Sequence, residues 1–219
     1  MNQPDLWLFF ALVFGIIVLP GMDMAFVAGS ALTHGLRGGL VAVAGIVAAG
    51  MVHTAVGASG FAALMLWWPA AFNVLLLAGA AYMVWIGVSL WRASRAVDAS
   101  GAVAADAAAA ATPLRKIFSR AVLTCLLNPK AYAFMLAVFP AFLRSADYTL
   151  PVQATRLGIV IALTQTAVYG AVALFVASAQ RWTGTSARGQ RWTMRGVSAS
   201  LVIGAVMTLA FAWRPAAAG

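Results

Sequence analysis

Six runs of near-continuous apolar sequence, at residues 6–31, 40–66, 70–90, 117–143, 152–179 and 196–213, constrain this chain more than any other feature. A helix needs about 20 apolar residues to cross the roughly 30 Å of hydrocarbon in a bilayer, and each run approaches or exceeds that length. The runs are continuous rather than alternating, so backbone hydrogen bonds must close within each segment, which favours helices over a barrel. With 63% of 219 residues hydrophobic and only 9% charged, one soluble core could not hide so much apolar surface. The expected fold is an all-α integral membrane protein with six transmembrane helices. The first run lacks a basic leader and carries Pro20 and Asp23 within it, so it is expected to be retained rather than cleaved.

Lys and Arg near the span ends give the expected orientation. Setting aside Lys130, which falls inside a span, ten cations follow spans one, three and five, whereas only Arg144, Arg156 and Arg214 lie on the other side. The cation-rich side should be cytoplasmic, placing both termini in the periplasm. Trp7, Trp67, Trp68 and Trp213 then mark the outer interface, and Trp91, Trp182 and Trp192 the inner one. The net charge of +9 is divided among short loops without aromatic interleaving, which suits anionic membrane lipid and gives no indication of nucleic acid.

An Ala-rich linker at residues 94–112 divides the chain into residues 1–93 and 113–219, each with three spans. Thr112 and Pro113 read as the N-cap and first position of the helix that follows. Three is odd, so the second half must enter the membrane from the opposite face, and any repeat is inverted. One sequence correspondence supports such a repeat. Pro20-Gly21 interrupts the first helix of the first half, and Asn128-Pro129 interrupts the first helix of the second. Proline removes a backbone donor and clashes with the preceding turn, so each site should free carbonyls on one side and N–H groups on the other. The reading is two inverted three-helix repeats with broken first and fourth helices. A simple kink would explain either proline alone; matched positions favour paired breaks.

An ionisable residue lies beside each break. Asp23 is the one acid inside any span and Lys130 the one base deep in a span. Each costs at least about 2.5 kcal/mol at the bilayer centre if isolated, so each needs a partner or a wet cavity. The pair could be a fixed ion pair. It could also be a site for a zwitterion, with Asp23 meeting an ammonium and Lys130, with the N–H groups of the broken helix, meeting a carboxylate. That second reading makes Pro20, Gly21, Asn128 and Pro129 binding-site residues as well. Asp23 is also a candidate for carrying a proton, although burial and a nearby cation act on it in opposite senses. His53, in the middle of span two, is a second candidate for proton coupling, or else an interhelical hydrogen-bonding group.

Other features carry less. Gln165 and Tyr169 in span five read as packing groups. Gly196, Ser200, Gly204 and Thr208 form a small-residue stripe for close helix approach, either within the chain or in a homodimer. Cys125 stands alone, which argues against a redox carrier needing two cysteines. His34 and His53 are too few for a metal-efflux site, so no metal or cofactor is expected. No enzymatic constellation emerges, while a non-transporting scaffold stays open at this level.

Several short motifs resemble the LysE-type amino-acid exporters, and in particular their homoserine- and threonine-exporting branch. They are Leu19-Pro20-Gly21-Met22-Asp23, Gly50-Met51-Val52-His53 with Gly60-Phe61, Gly79-Ala80-Ala81-Tyr82 with Gly87, and Asn128-Pro129-Lys130-Ala131 followed by Phe139-Pro140-Ala141-Phe142. The resemblance implies efflux of amino acids or close derivatives across a bacterial inner membrane, driven by the proton gradient, by six helices in inverted repeats. Met22, Ala121, Cys125 and Ala141 depart from the family pattern of proline, glycine, a polar residue and glutamine, so the resemblance does not carry over a particular amino acid.

Overall fold

The computed structural model describes residues 6–59, 73–74, 77–89, 91–92, 94–95, 112–143, 148–182 and 187–212. Most of the Ala-rich linker, Gly60-Phe61, Trp67, Trp68 and Trp213 lie outside the described residues. All regular structure among the described residues is helical: α1 (Leu6–Val18), α2 (Met22–Ala58), α3 (Leu77–Ser89), α4 (Leu114–Leu126), α5 (Pro129–Ala137), a short 3₁₀ turn (Phe139–Phe142), α6 (Leu150–Trp182) and α7 (Ala187–Ala212). Each of the six apolar runs is represented. By length and hydropathy, two of the described helices can cross a bilayer, Met22–Ala58 and Leu150–Gln180.

The first apolar run is divided as its sequence predicts. α1 stops at Val18, and Leu19-Pro20-Gly21 is non-helical before α2 begins. With 13 residues, α1 is only about 20 Å long, short of a bilayer's hydrocarbon. α2 is itself two helices meeting at Gly35, whose φ of 64° and ψ of −168° belong to a region that suits glycine. This single residue replaces the loop expected between the first two spans. Gly38 and Gly39 let the redirected chain pass close to Ser30 and Ala31, and the Gln180 side chain donates to the Leu32 carbonyl at 2.8 Å just ahead of the turn. The segment 22–34 is therefore bounded by a break at each end.

The fourth run is divided likewise, into α4, a non-helical Leu127-Asn128 and α5. α4 starts at Leu114 with Pro113 as its N-cap, one residue later than the Thr112 cap expected from sequence, and Pro113 is extended at φ −66°, ψ 137°. Phe9 of α1 packs at a tilt against Phe134, Phe139 and Phe142 at centroid distances of 5.0 to 6.4 Å, joining the two broken runs on one side. α2 packs along both α6 and α4, and Gly45 lets Ala121 and the Phe118 carbonyl approach its backbone. Ala121 thus lies against a glycine, so the helix contact keeps one glycine where the family pattern leads one to expect it on α4.

α3 closes on the second break. A Cβ added to Gly79 would fall on the Leu127 carbonyl oxygen and within 3.3 Å of Pro129 Cδ, so the quoted Gly-Ala-Ala-Tyr motif contains a close-packing position. Overpacking of this kind costs about 1–3 kcal/mol. Gly79→Ala is expected to lower the thermal midpoint of the detergent-solubilised protein; an unchanged melting curve would show that the break yields freely. α7 meets α3 through Ser198, which donates to the Gly87 carbonyl at 2.6 Å, and through Leu201 and Ala205. Of the predicted small-residue stripe, Gly204 leaves room for Met83, which a Cβ there would meet, whereas a Cβ on Gly196 would meet nothing among the described residues; the side chains of Ser200 and Thr208 lie outside the described residues.

Candidate functional site

The two breaks meet and exchange partners. Lys130, just after the second break, donates from Nζ to the carbonyl of Leu19, just before the first, at 2.9 Å. Its ammonium lies over Gly21, where a Cβ would come within 3.2 Å of Nζ. Leu19 follows the last turn of α1, whose carbonyls have lost their helical donors and carry the negative end of the helix dipole, so a cation is favoured there. Conversely, Asp23, just after the first break, interacts with Cys125 and Asn128, at and just before the second. Asp23 also belongs to the first turn of α2, where N–H groups without helical acceptors favour an anion.

The local chemistry of the second break follows from Pro129. A residue with an N–H there would donate to the Cys125 carbonyl, four residues back; proline cannot. That carbonyl instead accepts from Asn128 N at 3.0 Å and pairs with His53 Nε2 at 3.0 Å. Because a carbonyl can only accept, Nε2 must carry the proton, which leaves Nδ1 as the acceptor of a neutral ring. The His53 ring also stands edge-on to Tyr132 with centroids 4.7 Å apart. Asn128 caps α5, its Oδ1 accepting from Lys130 N at 3.0 Å.

These groups surround a cavity of about 50 Å³ lined by Asp23, His53, Cys125, Asn128 and Lys130, by Val13, Ile16 and Ile17 of α1, and by Gly50, Ile161, Gln165 and Tyr169. Three buried polar atoms of its lining have no hydrogen-bond partner among the described residues: Asp23 Oδ1, Asn128 Nδ2 and Gln165 Oε1. The Asn128 amide lies beside the Asp23 carboxylate, but Nδ2 falls short of hydrogen-bond geometry. An unsatisfied buried group costs about 1–3 kcal/mol, and here acceptors and a donor are left open around one space. Nor, among the described residues, is Asp23 joined to Lys130 by a salt bridge: the ammonium is held by the Leu19 carbonyl and attracts the carboxylate only from farther off.

Of the residues expected from sequence to form the site, Asp23, His53, Asn128 and Lys130 line the cavity, whereas Pro20, Gly21 and Pro129 are not part of its lining; Gly21 lies under the Lys130 ammonium. Gln165 and Tyr169, read from sequence as packing groups, also line the cavity. Their four-residue spacing puts them on one face of α6, and Gly50 opposite has no side chain to exclude Gln165. The cavity admits little more than a water or two, whereas small-molecule sites commonly enclose about 300–1,000 Å³. An amino acid needs the surrounding helices to part.

A helical chain with interrupted apolar helices, a buried acid and a half-buried base at the interruptions, and unmatched polar atoms around a cavity between them has the features of a membrane translocator. The LysE type translocator profile matches residues 14–210, and the chain belongs to that family. A homoserine/homoserine lactone efflux protein of Salmonella typhimurium is 34% identical over 115 residues, 52% of each chain. A leucine efflux protein of Enterobacter sp. strain 638 is 29% identical over 140 residues, 64% of each chain, and one of Klebsiella pneumoniae is 31% identical over 128 residues, 58% of each. The alignments thus span about half to two thirds of these relatives. No solved structure matches.

Proposed function

We propose that this protein exports amino acids or close derivatives across the bacterial inner membrane, with export coupled to the proton gradient. The observation that carries the reading is the pair of crossed breaks around the cavity, where open acceptors and an open donor lie beside one buried anion and one half-buried cation. A zwitterion presents both charges within a few ångströms and supplies the partners those atoms lack. In this mechanism Asp23 receives the ammonium, and Asn128 Nδ2 and Lys130 receive the carboxylate, the latter by turning from the Leu19 carbonyl. When the ligand leaves, Asp23 takes a proton, and His53 beside it is the relay.

The names of the relatives, homoserine and leucine efflux proteins, give the first substrates to try. Six spans in two inverted halves with both termini periplasmic are the membrane arrangement that goes with this reading, and the reciprocal contacts between Lys130 and Leu19 and between Asp23 and Cys125-Asn128 support the pairing of the halves. The test is reconstitution into vesicles with an imposed pH gradient, followed by counterflow with a panel of labelled amino acids that includes leucine and homoserine. Accumulation of at least one, enhanced by the gradient, is expected. Failure to move any of them would favour a scaffold role.

A further inference from the structure

We propose that Gln165 and Tyr169 of α6 complete, with Asp23, the pocket that receives the ligand's ammonium group; the inference rests on the reading of the central cavity as an amino-acid site. A primary ammonium presents three N–H donors in tetrahedral array, so one carboxylate alone does not satisfy it once water is excluded. Gln165 Oε1 is an acceptor buried against the cavity, without a partner among the described residues, on a residue 6% exposed. Tyr169, 1% exposed, lines the same cavity as Asp23 one helical turn beyond Gln165. Together with Asp23 Oδ1, these give oxygen acceptors from two helices beside one space.

The surroundings argue for a ligand over mere packing. A Cβ at position 50 would stand 2.6 Å from Gln165 Oε1, so the amide occupies room that only a glycine leaves, yet it closes no hydrogen bond there. An amide flip changes the labels but still leaves a polar group facing Gly50. The donors Asn128 Nδ2 and Lys130 come from the second break and the acceptors from α2 and α6, so both kinds of partner that a zwitterion needs line the one space. Gln165 is also neutral. It adds an acceptor without a second negative charge, leaving one buried anion for one ligand cation.

The experiment is competition against whichever of labelled leucine or homoserine the reconstituted wild-type protein binds, using the amino acid, its methyl ester, which keeps the ammonium, and its 2-hydroxy analogue, which lacks it. Gln165→Met preserves length and bulk while removing the acceptor. It should weaken the amino acid and its ester by the same factor, at least about tenfold, and the hydroxy analogue by less than about twofold. Tyr169→Phe, which keeps the ring, should show the same selectivity with a smaller loss and an unchanged thermal midpoint. Equal losses for all three ligands, or no loss for the amino acid in either variant, would overturn the assignment. Absence of any amino-acid binding by the wild-type protein would instead overturn the underlying reading of the cavity.

Discussion

Asp23→Asn is expected to leave the protein folded in the membrane while reducing amino-acid efflux by about two orders of magnitude. The side chain is 4% exposed, keeps its shape in the variant and makes, among the described residues, no salt bridge whose loss would unfold the site. What it loses is charge. Removing one member of a buried charge interaction costs about 3–5 kcal/mol, a factor of about 10² to 4 × 10³ in binding. Efflux by reconstituted vesicles, with protein quantity checked by the yield from detergent extraction, measures this directly. The two roles proposed for Asp23 also separate here. If it binds the ammonium, counterflow in the absence of a gradient falls along with net efflux. Intact counterflow with loss of only the gradient's effect would leave Asp23 a proton carrier alone, and undiminished efflux would remove it from the mechanism.

Exchanging the two charges, Asp23→Lys together with Lys130→Asp, is expected to abolish transport and to lower stability as well. A simple ion pair would survive reversal. Here each group faces a fixed backbone polarity: Lys130 meets the carbonyl at the end of α1, and Asp23 lies in the first turn of α2. After exchange, a carboxylate confronts the Leu19 carbonyl and an ammonium confronts N–H groups. Each reversed helix end costs on the order of 1–2 kcal/mol, and the Leu19 carbonyl loses its donor besides. A double variant with a wild-type melting temperature and substantial efflux would show that only the mutual attraction matters.

The breaks were legible in the sequence because proline acts locally: the missing donor at Pro20 or Pro129 interrupts a helix whatever surrounds it. Asp23 and Lys130 were legible because an ionisable residue stands out in an apolar run. Their direct partners were not. That Lys130 would bond Leu19, 111 residues away, depends on how α5 meets α1, which the Phe9 cluster helps to fix and which no local pattern encodes. That Gln165 lines the cavity is hidden in the sequence for a related reason. Thr164, Gln165 and Thr166 are consecutive polar residues on an apolar helix, and sequence alone does not say which of them points inward. The usable signal was the Gln165 to Tyr169 spacing, to be matched with a glycine on a facing helix. Gly79 was singled out as part of a motif, but its role as the close neighbour of the Leu127 carbonyl required the packing of α3.

The crossed contacts at the breaks also bear on the order in which the protein is made. The Leu19 carbonyl is completed by Lys130, and Asp23 finds its neighbours at Cys125 and Asn128, so the first half leaves the ribosome with its interruption unfinished. Until the second half has been synthesised and inserted, Asp23 and the open end of α1 must be accommodated by water, lipid headgroups or the insertion machinery. A chain stalled before the second break therefore carries Asp23 without the Cys125 and Asn128 that neighbour it in the finished fold, and insertion of α4 and α5 is the step that completes the first half.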